Sequence, residues 1–478
     1  MRWILSREDT LRVPASQSDI QVAERRTPWL LAWLAFLPLV LIRAENFAES
    51  DTFWAIRTGV LTMATRSLPT RDPFSWTAAG EPWTLNAWGF NVVLGGAYLA
   101  FGLAGTAIVS SIFVALIGGL VLFQARQLGA NPVVAGYVLF VGGAMATTWI
   151  TARPQIVDYS AMLVIVLLLG RLRVAARPVC VLVWLAVVTT MWANLHAAAL
   201  LGALVCGAAT IGILASRSER WQAIRFVTAS LTVAMCCFFT PYGVGIVGQT
   251  LLVKNESSNI KEWQAFDPGD PLQLLVLAAG VIALLVSIRR RDPVAVAVLS
   301  ATLCASFAAY RILPILLFLS LPVLAAGAPP KLLQYFRSRR KMLNQGAVAA
   351  VVIAASAAMV NVQSLGRPDP THFPVSAIQQ IPTGCHLYND YQIGGLVILE
   401  RPDVKVSMDS RNDLYGSARV DKSLETVAGR GDLDSALQGA DCALVPPDTG
   451  LAAYLEASPL WSIAFSEPAG SLFVRKGE

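Results

Sequence analysis

The chain has 478 residues, of which 55% are apolar and 14% charged, with a mean hydropathy of +0.56 and a net charge of +6. So few charges cannot cover the wet surface of a globule this size, which excludes an ordinary soluble enzyme and indicates a polytopic membrane protein. The positive charge lies in Arg and Lys clusters between apolar runs, so it reports orientation in a bilayer; no motif for nucleic acid accompanies it.

Residues 1–27 form a polar, charged leader, expected in the cytoplasm, and no small-residue cleavage site follows the first apolar run. A span needs about 20 apolar residues. Runs near that length at 28–44, 106–123, 132–150, 155–170, 178–195, 197–215, 226–240, 271–288, 293–309, 312–327 and 346–361 predict a helical transmembrane domain over 28–361. Basic clusters at Arg25 and Arg26, Arg126, Arg171, Ser216 to Arg225, Arg289 and Lys331 fall on alternate connections. The positive-inside bias puts those in the cytoplasm and the acidic loop 45–86, with everything after Asn361, outside the plasma membrane. The apolar stretch 86–104 would invert this order if it crossed. Its glycines and the flanking Trp83 and Trp88 suit a re-entrant or interfacial segment, the alternative being that it spans and 155–170 does not.

Cys180, Cys206, Cys236, Cys237 and Cys304 lie in apolar runs as small hydrophobes, without zinc-ligand spacing. After Asn361 a linker, GRPDPTHFP, leads into a small α/β domain over 362–478. Strands are expected at CHLYND, LVILE, VKVSMDS and CALVP, with a hairpin from Trp461 to Lys476 and helices near 375–380, 422–429 and 449–457. Cys385 and Cys442 both fall here, and either a disulfide or two buried thiols fits the pattern.

Within the first outer loop, ENFAESDTFWAIRTGVLTMATRS sets Glu49 and Asp51 beside a span. If the segment is helical, Phe53, Ile56, Val60 and Met63 form one stripe and Thr58, Thr62, Thr65 and Arg66 the opposite one, which predicts a helix lying on the membrane surface. It would hold the two carboxylates where a lipid headgroup and a water-soluble substrate can meet. The plain alternative is a pair of solvated loop acids.

The longer pattern from Glu49 through DTFWAIRTG, LPTRDPFSWTAAGEPW and NAW resembles that of bacterial multi-span proteins with the GT-C glycosyltransferase architecture. Further matches follow in order: ARPQ at Ala152, WANLHAAALLG at Trp192, TPYG at Thr240, IKEWQ at Ile260, RILPILLFLSLPVLA at Arg311, YNDYQIGGLVI at Tyr388 and SMDSRNDLYG at Ser407. Two departures stand out: Ala55 occupies a position that is often His, and TPYG replaces the usual Asn-Pro-Tyr-Gly.

The resemblance implies a GT-C-like helical bundle with a small extracytoplasmic domain, transferring a sugar from a polyprenyl-phosphate donor to a glycan, lipid or protein acceptor. It puts the catalytic acid at Asp51, with Glu49 beside it. A sugar phosphate leaves as a stable anion, so the chemistry needs a base for the incoming hydroxyl and a cation near the phosphate. Arg57, Arg153, His196 and Arg311, with Asp409 and Arg411 of the outer domain, are the candidate substrate-binding residues. Arg153 and Arg311 could equally snorkel to headgroups, and His196 could serve only as a helix-end hydrogen-bonding residue. Asp390, Asp409, Arg411 and Asp413 also suit turn closure at strand ends. Glu49, Asp51 and Asp158 offer hard oxygen ligands, which leaves Mg or Mn open as a cofactor. A transporter and a non-catalytic membrane scaffold are the rival readings.

Overall fold

The computed structural model describes residues 28–34, 36, 46–216, 219–255, 264–339 and 365–476, with scattered positions between 341 and 356. Six described helices are long and apolar enough to cross a membrane: Trp88–Gln127, Pro132–Trp149, Gln155–Val174, Pro178–Leu195, Ala197–Ala215 and Pro271–Arg289. A bent pair, Tyr310–Ala326 and Pro330–Phe336, meets at 83° and would make a seventh if it is one span. The chain is therefore a multi-pass membrane protein. Shorter helices at Arg220–Cys236 and Pro293–Ala308 fall on two further expected runs. The expected spans 28–44 and 346–361 lie largely outside the described residues.

Local chemistry fixes where these helices begin. Asn131, Asp270 and Asp292 cap their helices by accepting backbone N–H groups, each just before a proline whose missing N–H costs nothing at that place. The stretch 86–104, expected to be re-entrant or interfacial, is helical. It is the first arm of the helix Trp88–Gln127, broken only at Phe101 and at Gly102, whose φ of +62° lets the chain change direction without a loop. At about 1.5 Å per residue the two arms together would be about 60 Å long if straight, twice the hydrocarbon thickness. The first arm packs instead on the helix Ser50–Thr65. A Cβ on Gly59 would lie 1.8 Å from the Asn91 carbonyl oxygen and one on Gly95 2.6 Å from the Val60 nitrogen, so the two backbones touch where only glycine fits.

That contact also corrects the surface-helix expectation. The helix Ser50–Thr65 does form, but Thr58, placed on the outward stripe, is fully buried with Phe53 and Ile56, while Met63 is exposed. The helix is held between the Trp88 arm and the helix Gly394–Glu400, where Gly395 meets Ser50. Thr58 avoids the burial penalty by donating its hydroxyl to the Trp54 carbonyl, 2.7 Å away within its own helix.

The C-terminal unit has a five-stranded sheet in the order β4 (Lys405–Val406), β3 (His386–Asn389), β5 (Cys442–Val445), β7 (Gly470–Arg475) and β6 (Trp461–Glu467). β3 runs parallel to β4 and β5, and β5 antiparallel to β7, which closes the expected hairpin with β6. LVILE, expected as a strand, lies in the helix Gly394–Glu400: every residue from Gly394 to Leu399 is buried, so the run carries no periodicity to tell helix from strand. VKVSMDS contributes only the two residues of β4, and the helix expected at 422–429 starts at Asn412. Cys385 and Cys442 are joined by a disulfide that ties the start of β3 to β5.

The first loop is sewn onto this unit. β1 (Asn46–Phe47) pairs in parallel with β2 (Arg367–Pro368), and the Phe53 ring meets Phe47 and Phe373 edge-on at 6.2 and 5.1 Å. Farther along, Trp76 donates its indole N–H to the Leu387 carbonyl at 3.1 Å and stacks on His386, and Lys405 Nζ donates to the Pro73 carbonyl at 2.6 Å. One continuous apolar core runs from the membrane helices through this junction.

Candidate active site

Asp51 lies in the first turn of the helix Ser50–Thr65, where the exposed N–H groups favour a carboxylate. Its Oδ2 is 2.8 Å from Arg153 Nη2, with the two side chains 25% and 22% exposed. Its Oδ1 accepts the Ser410 hydroxyl and, at 3.3 Å, the Trp54 indole N–H, which also reaches Ser410 Oγ at 3.1 Å. A bundle arginine, a loop carboxylate and a serine of the C-terminal unit therefore meet at one atom group. The pair keeps some contact with solvent, so a ligand can reach both groups.

The pair borders a cavity of about 130 Å³ whose wall also includes His196, Arg311, Asn412 and Asp413. His196 terminates the helix Pro178–Leu195, and its Nδ1 is 2.8 Å from both oxygens of Asp158. Asp158, 2% exposed, also accepts the Trp192 indole N–H at 2.7 Å. The carboxylate thus fixes the ring, and Nε2 remains for a ligand. His196 and Arg311 also line an adjoining cavity of about 170 Å³, so the two rooms share a wall.

Five of the expected site residues, Asp51, Arg153, His196, Arg311 and Arg411, come together around this cavity. Glu49 is the half-buried residue just before the helix and does not line it. Arg57 does not line it either; with Glu400 it acts electrostatically on Tyr98 of the Trp88 arm. Asp409, expected to bind substrate, does not line the cavity, whereas Arg411 lines it from a buried position. They are 0% and 1% exposed and bind each other, Arg411 Nε and Nη2 donating to the two Asp409 oxygens at 2.7 and 2.6 Å. Arg411 Nη1 lies 2.8 Å from Asp72 Oδ1, too poorly aligned for a hydrogen bond, and the guanidinium covers the Trp83 ring at 4.5 Å. Asp72 in turn accepts the backbone N–H groups of Phe74 and Ser75 at 3.1 and 3.0 Å. A guanidinium without exposed surface needs carboxylate partners, and Asp409 and Asp72 supply them.

Ser410, Trp54, Asn412 and Asp413 join the site without having been selected as site residues. Asp413 accepts from Gln249 Nε2 at 3.2 Å, and burial pushes its carboxyl up to about 6, with Arg411 partly opposing the shift. Tyr391 donates its hydroxyl to Asn412 Oδ1 at 2.6 Å; burial, then the nearby Asp51 charge, push that phenol well above its ordinary value. Ser410, Asn412 and Asp413 all fall in the SMDSRNDLYG motif, which was the available signal.

The residues do not fit a divalent cation as arranged. Among the described residues no group of three His, Cys, Asp or Glu side chains could hold one. Asp51 spends its oxygens on Arg153 and Ser410, while Asp158 spends its own on His196 and Trp192 and does not line the cavity.

No protein-family model matches the chain, and no curated protein sequence matches it. Among solved structures it is similar to the oligosaccharyltransferase of Archaeoglobus fulgidus in its apo form, with a TM-score of 0.53 and 12% identity over 89% of this chain and 70% of that one. It is also similar to the archaeal oligosaccharyltransferase AglB of the same organism in complex with an inhibitory peptide and a dolichol-phosphate, with a TM-score of 0.55 and 13% identity over the same shares. At this identity the likeness is one of fold: a GT-C-like helical bundle followed by a small C-terminal sheet unit.

Proposed function

We propose that this chain is a GT-C-type glycosyltransferase which moves a sugar from a polyprenyl-phosphate donor to a hydroxyl-bearing acceptor outside the plasma membrane, with Asp51 as the proton acceptor. The observation that carries the reading is the accessible Asp51–Arg153 pair on a cavity shared with His196 and Arg311. The neighbour solved with a dolichol-phosphate supports a lipid phosphate as the leaving product, and the disulfide suits an oxidising compartment for the unit at 362–478.

In this reading the donor phosphate competes with Asp51 for Arg153. Arg153 and Arg311 take the phosphate, and Asp51 Oδ2 is released as a freer, more basic oxygen beside the incoming hydroxyl. The bond from the anomeric carbon to the phosphate oxygen breaks, the acceptor oxygen bonds to that carbon, and its proton passes to Asp51. Polyprenyl phosphate leaves as an anion and needs no general acid. His196, held by Asp158, offers Nε2 to a sugar hydroxyl.

The test is turnover of a panel of polyprenyl-phosphate sugars by the purified full-length protein. Asp51→Asn should lower turnover about 10² to 10⁴-fold while the fold is kept. Glu49→Gln, which lies off the cavity, should lower it far less. Full turnover by the Asp51→Asn protein would remove the base assignment.

A further inference from the structure

A second, larger cavity of about 320 Å³ lies at the other end of the bundle. The helix Gln155–Val174 measures the separation: Gln155 lines the Asp51 cavity and Gly170 lines this one, about 22 Å apart at the usual helical rise. We infer that this cavity holds one anionic phospholipid, its acyl chain between the helices and its phosphate at the arginine rim. The inference rests on the membrane character of the chain and is independent of the proposed transferase activity.

Charge complementarity and shape together select the occupant. The walls are apolar, built from Val166, Leu167, Val298, Leu299, Leu319 and Val323. The rim carries Arg171, Arg173 and Arg290 against a single acid, Asp292. Arg173 Nη1 is paired with Asp292 Oδ1 at 2.9 Å, about one third exposed, so that bond can be shared with a phosphate. Arg290 is fixed by donating to the carbonyls of Leu128 and Ala326 at 2.8 and 3.3 Å, and Arg171 is exposed above the Phe123 ring. Four helices, Trp88–Gln127, Gln155–Val174, Pro271–Arg289 and Leu313–Ala326, end at or beside this cavity. Their carbonyl ends carry partial negative charge, which weakens the hold on a free anion. A phosphate that brings its own apolar chain overcomes that deficit by burying the chain against the walls.

Gly170 supplies a clean test, because a Cβ there would meet nothing within 4 Å. Gly170→Leu should put a larger side chain at the cavity wall, and helix propensity favours the change, so thermal stability should hold or rise. Phosphatidylglycerol and phosphatidylcholine are titrated separately onto the detergent-purified full chain, and bound lipid is read by native mass spectrometry. The wild type should retain phosphatidylglycerol about tenfold more strongly than phosphatidylcholine. Arg171→Gln should reduce that preference about fivefold. Gly170→Leu should abolish saturable retention while the melting temperature is kept. Equal retention of the two lipids, displacement of phosphatidylglycerol by millimolar inorganic phosphate, or undiminished retention by Gly170→Leu would each overturn the inference.

Discussion

Two arginine–carboxylate groups lie where the first loop meets the C-terminal unit, and they are built differently. Arg153 pairs with Asp51, and both side chains keep about a quarter of their surface exposed. Arg411 has two carboxylates, Asp72 and Asp409, and neither it nor they reach solvent. The first arrangement keeps solvent contact and costs less to open, whereas the second cannot be opened without stranding charge in the interior. Residue type alone does not separate the accessible pair from the buried clamp; exposure does.

Breaking the clamp should produce the largest change in stability. Arg411→Met leaves Asp72 and Asp409 facing each other unpaired and should cost about 3–5 kcal/mol, read by thermal unfolding in detergent. Arg153→Met should cost less stability than Arg411→Met, yet abolish donor turnover. Equal loss of stability in the two proteins would erase the distinction between them.

The smallest effect concerns Asp413, which lines the cavity at the edge of the clamp. Its carboxyl titrates at about 6 because burial favours the protonated form. A folded-state value raised above the unfolded one contributes stability that is complete below the ordinary carboxylate range and is lost as pH rises through about 6. The wild type should therefore lose stability relative to Asp413→Asn between about pH 4 and pH 7, in a comparison of melting curves. A constant difference across that range would show that Asp413 is not held protonated.

Much of the site was legible because hydropathy marks the ends of helices. Arg153, His196 and Arg311 each follow or precede an apolar run, and the cavity lies where those runs end. Their partners were less legible. Ser410 reaches Asp51 across 359 residues of chain, and no local pattern specifies a hydrogen bond over that distance. The same gap hid the partner of Arg411, since a motif displays charges without showing that Asp72, in the first loop, neutralises one of them. In the fold, the runs at 132–150 and 271–288 were readable as spans from length and hydropathy, whereas LVILE was not readable as a helix because burial on every side removes the periodic signal.

The pairing of β1 with β2 also has a consequence for biogenesis. Asn46 and Phe47 leave the ribosome long before Arg367 and Pro368, their partners in the sheet. Until translation reaches the C-terminal unit, the Asp51 carboxylate lacks its Ser410 donor and Phe53 lacks the Phe373 ring that covers it. Synthesis of nearly the whole chain therefore precedes completion of the cavity, and a prematurely terminated product carries the arginines and carboxylates of the membrane portion without an assembled site.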